Sequence, residues 1–480
     1  MLVQSWKNFI DNLLLPPGSL IDKGAHRFAL CLVVLPALVL MFFLWKPWIH
    51  GNDGVRHYVY CRSAWLDLDF NFTNEFSWYM ARGELQKITI DQVTGLPGNS
   101  QGCGSAVLWS PFFWLGHLVA LITPYATDGY SAPYVWAVCA GTSLYAIAGL
   151  ALLTSVLVWR FGILPALLSI YAIWLGSPLL FYMYLHPSMS HGCSFFLAAL
   201  LVWMFERWRN IQFLWHFFVI AMVAGLAMAT RINNGVLLLA PLAFWGRALY
   251  SGLPEEDRFY RRRGIYYAGL MVFLGLFVGF FPQMLAWRIF YDAWLSGPRD
   301  YNLDSNISLT ASPYFFRLFI SGWRGLFVWS PALFPGFIGM FILLKRKRFL
   351  DWALVLAFLA QAWVIGGWAY WYGGASFGQR FFINMLPILA IGLAWFVLCL
   401  REGKLRALLI AYILVSILWS GGLMIQYGSR MIDREGPVLT RELVRNQFTR
   451  VPRKLGEYIR YLLPGTRMQS KDRPEDEAEQ

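Results

Sequence analysis

The stretch that decides the fold is residues 28–76, FALCLVVLPALVLMFFLWKPWIHGNDGVRHYVYCRSAWLDLDFNFTNEF. Its first part, up to Trp45, contains no charged residue and is long enough to cross a membrane as a helix. The block that follows, from His50 to Phe76, is dense in acidic, basic and aromatic residues. A polar block directly after a membrane span predicts a functional surface at the boundary between lipid and water.

The composition extends this prediction to the whole chain. Its 480 residues are 58% hydrophobic and 14% charged, whereas about a quarter of the residues in soluble proteins are charged. Many apolar runs have the length of a membrane span. We therefore expect an all-α polytopic membrane protein with about eleven transmembrane helices, at 28–46, 133–159, 163–184, 188–205, 213–230, 234–250, 265–289, 323–344, 350–370, 381–400 and 407–427.

These spans divide the chain into three parts. We expect a cytoplasmic N-terminal segment at 1–27, a transmembrane domain at 28–427 and a polar, partly disordered extracytoplasmic tail at 428–480. The first outside loop, 47–132, is long and contains a further apolar run at 105–122, which we expect to lie along the membrane surface as a juxtamembrane helix. No small-residue cleavage site follows the first apolar run, so we expect the first span to remain as an anchor.

The positive charges support this orientation. With an inside N-terminus and a flat 105–122 helix, the most basic loops fall on the cytoplasmic side, as the positive-inside rule requires. They include RRR at 261–263, KRKR at 345–348 and REGKLR at 401–406. The same rule accounts for the net charge of +13 without a nucleic-acid partner. The alternative is an outside N-terminus with 105–122 crossing the membrane.

Cys61 and Cys103 are the two cysteines in the polar block. Both fall in the predicted outside loop, where an oxidising compartment permits disulfides. They either pair and brace the loop or remain two free thiols. The sequence has no CxxC motif or Cys/His cluster that would indicate a zinc site.

Asp53 is the leading candidate for a catalytic residue. A carboxylate just beyond a span is costly if it faces lipid and useful if it faces a cavity. Arg56 lies three residues on, so on a helix the two side chains share a face. A carboxylate can accept a proton from a hydroxyl, and a guanidinium can bind a phosphate through several donors. The pair suits attack of an alcohol on a carbon bearing a phosphate leaving group, unless it is merely a solvated surface pair.

Other predicted outside loops place basic side chains next to apolar runs. Arg231 follows GLAMAT, Arg380 precedes FFINMLPILAIGLAWF, and His186 and His191 bracket PSMS. Each of these side chains could instead extend to the membrane interface. Because all four share the predicted outside face with Asp53, they predict a pocket that neutralises an anionic head group.

The sequence also argues against several classes of protein. It has no P-loop, GxSxG or HExxH motif. The predicted spans contain few ionisable residues, which an ion-coupled transporter usually needs near the bilayer midplane. The aromatic residues between 363 and 372 form either an interfacial belt or a surface that stacks on a sugar ring.

The chain resembles the C-type glycosyltransferase superfamily, whose members are integral membrane enzymes with lipid-phosphate sugar donors. The resemblance extends over the predicted spans from residue 28 to residue 400. It is to the bacterial branch related to protein O-mannosyltransferases and to the aminoarabinose transferase of lipid A. The segments that carry it are NDGVRHYVYCRSAWLDLDFNFTNEF, GYSAPYVWAVCAGTSLYAIAGLAL, HPSMSHG, ATRINNG and FGQRFFINMLP.

The resemblance implies roles for particular residues. Asp53 matches the catalytic aspartate of the first outside loop, and Arg56 matches an arginine that contacts the donor phosphate. The 105–122 run resembles the juxtamembrane helices of that loop. One departure is that the aminoarabinose branch has a Lys-Pro-Pro motif whose lysine helps to hold phosphate, whereas the corresponding GCGSAVLWSPFFW has no lysine. Either Arg231, Arg380 or a histidine takes that role, or the donor binds differently.

The resemblance implies an inverting glycosyltransferase that uses a polyprenyl-phosphate sugar, and with the predicted topology we expect its site to face outward from a bacterial inner membrane. Asp53 is the expected general base. The acceptor is a hydroxyl of a glycan, lipid or protein; no metal site is predicted, and a divalent cation is left open. The rivals are a transporter or flippase of a lipid-linked sugar and a non-catalytic member of the superfamily. The other candidate residues are Arg56, Arg231, Arg380 and His191 for the donor phosphate, and His57 and Glu75 for acceptor orientation or loop support.

Overall fold

The structure is a computed structural model that describes residues 22–86, 88–208, 213–251, 258–296, 308–400 and 403–462. The predicted all-α class is confirmed. In the described ranges the α-helices are α1 Lys23–Leu44, α2 Gly51–Arg62, α3 Thr73–Met80, α4 Gly104–Leu121, α5 Ala132–Phe161, α6 Ile163–Leu175, α7 His191–Arg207, α8 Leu214–Thr230, α9 Leu239–Ser251, α10 Arg258–Tyr291, α11 Arg317–Ile320, α12 Leu326–Trp329, α13 Phe334–Leu343, α14 Phe349–Gly366, α15 Leu386–Cys399, α16 Lys404–Gly428 and α17 Thr440–Leu462.

The chain is an integral membrane protein, because it has helices long and apolar enough to cross a bilayer. Within the described ranges there are 7 such helices, together with shorter apolar ones. The predicted number of about eleven spans stays a prediction. The 7 long candidates are Lys23–Leu44, Gly104–Leu121, Ala132–Phe161, Gly264–Tyr291, Phe349–Gly366, Arg380–Cys399 and Lys404–Gly428.

Several of the predicted spans are interrupted or begin irregularly rather than forming one continuous α-helix. The span predicted at 323–344 breaks after Trp329, where Ser330 leaves the helical conformation and Pro331 begins a separate 3-10 turn. A proline has no N–H to continue the helical hydrogen bonds. The span predicted at 234–250 likewise begins with a 3-10 segment, Ile232–Leu238, before α9.

Helix α5 lies at the centre of the bundle and packs against α1, α4, α6 and α7. Peripheral helices expose apolar side chains instead: Phe42 of α1 is 85% exposed and Leu418 of α16 is 73% exposed. Such side chains suit contact with lipid. Small residues bring neighbouring helices close: a Cβ on Gly279 of α10 would lie 2.0 Å from the carbonyl oxygen of Met222 in α8.

Helix α4 packs against the N-terminal half of α5. Gly116 contacts Pro133, and the Tyr145 hydroxyl donates to the Leu108 carbonyl over 2.9 Å. Ser143, in the same half of α5, donates to the Met183 carbonyl. This part of α5 lies beyond the end of α1. The packing therefore favours a surface position for α4, although its length and composition also suit a span.

A buried ionic network joins three helices at the opposite end of the bundle. Arg160 at the end of α5 pairs with Glu206 of α7 at 3.0 Å and with Asp351 of α14 at 2.9 Å. Arg348, just before α14, also reaches Glu206 at 3.4 Å. The Asp351 and Glu206 side chains are 0% and 5% exposed, so each charge depends on its partners rather than on water.

The orientation of the first loop can be tested by labelling. We expect Val93→Cys and Thr127→Cys, each in a Cys-less background, both to react with a membrane-impermeant thiol reagent in intact cells, because the packing of α4 favours a helix that does not cross. Lys345→Cys serves as the inside control and should react only after permeabilisation. Labelling of one loop position alone would show that α4 crosses the membrane.

The ionic network should stabilise the bundle. Removing one partner of a buried ion pair costs about 3–5 kcal/mol, so Asp351→Asn should lower the thermal unfolding midpoint in detergent clearly. Glu457→Gln is the control, because its pairs with Arg453 and Lys454 lie on an exposed helix surface and contribute roughly 0–1 kcal/mol. Equal midpoints for the two variants would contradict a stabilising role.

Candidate functional site

The site is built on the first turn of α2. The helix begins at Gly51, and the Gly51 amide donates to Glu84 Oε2 over 3.2 Å. The same oxygen lies 2.6 Å from Nδ1 of His50. An acidic group stabilises a helix N-terminus because the first amides lack partners and carry partial positive charge. Glu84 thus fixes the start of the helix that carries Asp53.

Asp53 is held by side chains from two distant parts of the chain. Its Oδ2 lies 2.7 Å from Nη1 of Arg380, and its Oδ1 accepts a hydrogen bond from Gln101 Nε2 over 3.1 Å. The Arg380 and Asp53 side chains are 13% and 17% exposed, so the pair is largely removed from water but still reachable. A charge-assisted pair of this kind fixes both side chains.

Arg231 supplies a second positive charge. Its Nη1 donates to Ser190 Oγ over 3.0 Å and its Nε donates to Asn233 Oδ1 over 3.3 Å. It stands just after α8, while Arg380 begins the 3-10 segment that leads into α15. Both guanidinium groups are close enough to act on the charge of Asp53.

The electrostatics of Asp53 follow from this arrangement. Burial alone would raise its pKa, but the charge of Arg380, then that of Arg231, and the hydrogen bond from Arg380 outweigh burial and lower the pKa to about 2. Asp53 is therefore a carboxylate at neutral pH. While both arginines are beside it, the carboxylate is a weak base, because the cations stabilise its charged form.

His57 lies one turn after Asp53 on α2 and is completely buried. Its Nδ1 is 3.1 Å from the Gly102 carbonyl oxygen. Since a carbonyl can only accept, this contact assigns the proton to Nδ1. Burial and, next, the charge of Arg231 lower the pKa of His57 to about 4, so the ring is neutral at pH 7.

Several buried polar atoms near this site have no hydrogen-bond partner among the residues that the structure describes. Among them are Nε2 of His57, Nε2 of His191 and Oγ of Ser188. Ser188 touches the first turn of α2, since a Cβ on Gly54 would lie 2.7 Å from its hydroxyl. Buried polar groups are normally paired, so these atoms are suited to bind water or ligand oxygens.

The structure does not place Arg56 with Asp53 and Arg380. Arg56 Nη1 donates to the Gly98 carbonyl over 3.2 Å, and its backbone carbonyl accepts from the Asn99 side chain over 2.8 Å. The residue therefore fastens the loop on which Gln101 stands. Its predicted contact with the donor phosphate stays a prediction.

Glu75 lies in the first loop and pairs with Arg62 over 2.8 Å. Its side chain is 0% exposed, and burial raises its pKa to about 7. This position corresponds to loop support, the second of its two predicted roles. His191 opens α7 with its ring 4.4 Å from that of Tyr182, and Arg231 is close enough to influence its charge.

Sequence reasoning missed Gln101, Glu84 and His50. Gln101 lies in GLPGNSQGCG, which is uncharged, and Glu84 lies in a short turn after α3. Nothing in either segment indicates contact with residues 51–53. The Gly- and Pro-rich composition of 95–104 was the available signal, because such segments form loops that carry functional residues.

Of the two alternatives left open for Cys61 and Cys103, the structure has the free thiols, and both are buried. Cys61 Sγ donates to the Ala106 carbonyl over 3.3 Å. Burial raises the pKa of Cys61 well above its usual value and that of Cys103 to about 12, so both remain thiols. The loop is held by the packing of its aromatic core instead.

No group of three or more His, Cys, Asp or Glu side chains suited to a metal ion occurs in the described part of the chain. The described residues therefore point to no ligands for a divalent cation. At this site the positive charge near Asp53 comes from Arg231 and Arg380.

Comparison with known proteins identifies the fold. No family model and no curated protein matches the sequence. The crystal structure of ArnT from Cupriavidus metallidurans bound to undecaprenyl phosphate is similar, with a TM-score of 0.50 and 12% identity over 88% of this chain and 75% of that chain. The apo structure of the same protein gives a TM-score of 0.47 and 11% identity, over 88% and 73%. At this identity the likeness concerns the fold alone, and the predicted resemblance to the aminoarabinose transferase of lipid A is confirmed at the level of the fold.

Proposed function

We propose that this protein is a membrane glycosyltransferase that moves a sugar from a polyprenyl-phosphate donor to an acceptor hydroxyl, with Asp53 as the general base. The observation that carries the proposal is the carboxylate of Asp53 held 2.7 Å from Arg380 with Arg231 nearby. One acid and two arginines provide a proton acceptor and a binding site for an anion in one place. The ArnT structure of the same fold contains undecaprenyl phosphate, which supports the donor class.

In the proposed reaction the acceptor oxygen attacks the anomeric carbon of the sugar. The bond from that carbon to the phosphate oxygen breaks, and its electron pair leaves with the polyprenyl phosphate. Arg231 and Arg380 stabilise the phosphate as its charge develops, which is the main electrostatic requirement of such a step. The acceptor's proton passes to Asp53. Attack from the face opposite the phosphate inverts the anomeric configuration.

The ion pair suggests how the base is activated. Arg380 donates to Oδ2 of Asp53. An anionic donor phosphate competes for the same guanidinium and adds negative charge beside the carboxylate. Both effects raise the pKa of Asp53. The carboxylate then becomes a stronger base at the stage when donor and acceptor are both bound.

The rival functions lack a comparable observation. A transporter requires polar groups along a route through the bilayer. The buried ionic network of Arg160, Glu206 and Asp351 lies at helix ends and is internally paired. A non-catalytic relative would keep the fold but would not need Asp53, so substitution of this residue separates an enzyme from such a relative.

Asp53→Asn should remove turnover while leaving the fold intact. The amide keeps the shape of the carboxylate but cannot accept the proton, and positioned acid–base catalysis contributes about a hundred- to ten-thousand-fold in rate. The measurement is sugar transfer from a polyprenyl-phosphate sugar by the purified protein. Binding of undecaprenyl phosphate, followed alongside, should persist.

Asp69→Asn is the matched control, because Asp69 accepts hydrogen bonds from Ser63 and Asn71 within its own loop. It should keep near-normal turnover. A folded Asp53→Asn protein with the turnover of this control would refute Asp53 as the base. Loss of undecaprenyl phosphate binding in Asp53→Asn alone would point to a binding role instead.

The pH dependence gives a separate test. Since the free-enzyme pKa of Asp53 is lowered to about 2, its carboxylate form persists as the pH falls, and kcat/KM should show no acid limb from Asp53 above about pH 4. Arg380→Gln removes the charge that lowers the pKa of Asp53 most. The acid limb of the kcat/KM profile of this variant should therefore move to higher pH. An acid limb at the same pH in the unmodified protein and in Arg380→Gln would show that Arg380 does not control the pKa of Asp53.

A further inference from the structure

Helix α17 shows three distinct faces in a part of the chain predicted to be a partly disordered tail. Its first face packs on the protein: Leu443 and Asn446 are completely buried. Polar contacts hold this face in place. Gln426 donates to the Leu443 carbonyl over 3.1 Å, and Asn446 donates to the Met431 carbonyl over 3.3 Å. These contacts are with the last turns of α16 and the residues just after it.

The second face is apolar and exposed. Val444, Phe448, Leu455 and Tyr458 are 40%, 74%, 42% and 39% exposed. With 3.6 residues per turn, these four side chains fall within an arc of about 80°. Pro452 lies within the helix between Phe448 and Leu455, and the buried Val451 falls on the same arc, so the exposed apolar surface has two parts. Apolar surface of this kind on an otherwise polar helix suits an apolar partner.

The third face is basic. The helix contains six Arg or Lys residues and two Glu residues. Arg441 and Arg445 are exposed and lie on the arc beyond the apolar stripe, on the side away from Leu443, and the Arg453 side chain, further along the helix, is 85% exposed. A basic polar face beside an apolar stripe is typical of helices that lie in the interface of an anionic membrane.

The helix also lies at the membrane face that holds Asp53. The Tyr427 hydroxyl at the end of α16 donates to the Ala375 carbonyl over 3.2 Å, five residues before Arg380. The start of α17 presses on Gly322, where a Cβ would lie 2.5 Å from the Thr440 nitrogen. The adjacent Arg324 donates to the Ser376 carbonyl over 2.5 Å. The helix therefore adjoins the loop that carries Arg380.

We infer that α17 is an interfacial helix that binds the surface of an anionic phospholipid membrane at the active-site face. Its stripe of Val444, Phe448, Leu455 and Tyr458 enters the acyl boundary, and its arginines contact lipid phosphates. An anionic membrane matches both faces, because its phosphates bind the arginines and its acyl boundary accepts the apolar stripe. A neutral apolar partner would gain nothing from the arginines, and a soluble acidic partner would leave the stripe in water. The inference does not depend on the reaction proposed above.

The depth of the two exposed faces can be measured in the full-length protein. Phe448→Cys and Thr449→Cys, each in a Cys-less background, are spin-labelled in nanodiscs of phosphatidylcholine and phosphatidylglycerol. Both positions are exposed, but about 100° of rotation separates adjacent residues of a helix. The label at 448 should be accessible to oxygen and shielded from a water-soluble nickel chelate, and the label at 449 should show the reverse.

Two further results complete the test. In nanodiscs of phosphatidylcholine alone the label at 448 should lie closer to water than in the anionic nanodiscs. When Arg441→Gln, Arg445→Gln and Arg453→Gln are combined, the label should lie at the same depth in both lipid mixtures. Equal nickel accessibility at 448 and 449 in the anionic nanodiscs would overturn the proposal. So would disulfide crosslinking of Phe448→Cys between two copies in liposomes, because the stripe would then be a protein interface. A label at 448 that is equally deep in both lipid mixtures would refute the role of the anionic head groups.

Discussion

The charge of Asp53 is the constraint on which the arrangement of the site depends. A carboxylate that is largely removed from water is tolerated only when cations and hydrogen-bond donors replace its hydration. Here Arg380, Arg231 and Gln101 do so, and they come from three separate segments of the chain. The segments 95–104, 230–235 and 373–380 must therefore meet above the first turn of α2. These segments extend from the ends of rigid helices in the bundle.

The two ends of the bundle use charge differently. At one end Arg160 forms buried ion pairs with Glu206 and Asp351, and Arg348 also reaches Glu206, which joins the helices. At the other end Arg231 and Arg380 both lie beside Asp53 and act on its charge. The Nε2 atoms of His57 and His191, which have no partner among the described residues, lie on this side as well, where that of His57 can accept a hydrogen bond from a hydroxyl. The distribution fits an enzyme that binds an anionic head group at one membrane surface.

The sequence predicted the parts of this arrangement that have a local signal. Long apolar runs predict spans, and charged residues at their ends are conspicuous, so Asp53, Arg231 and Arg380 could be selected from the sequence alone. Spacing also placed Arg56 on the face of Asp53, but spacing does not decide which neighbour a long side chain reaches, and Arg56 bonds to Gly98. Gln101 and Glu84 could not be predicted, because their roles depend on how distant loops fold back. Helix α17 was missed although its apolar residues recur at helical spacing, because its high charge suggested disorder.

We propose that Arg380 moves from Asp53 to the donor phosphate when the donor binds, which frees the Asp53 carboxylate to act as the base. A structure of the protein with bound undecaprenyl phosphate, determined by electron cryo-microscopy in a nanodisc, tests this most directly. The account predicts the phosphate between Arg231 and Arg380 at charge-assisted hydrogen-bond distances of about 2.7–2.9 Å, with the Arg380 contact to Asp53 lengthened or lost. A phosphate bound away from both arginines, with the Asp53–Arg380 pair unchanged, would contradict it.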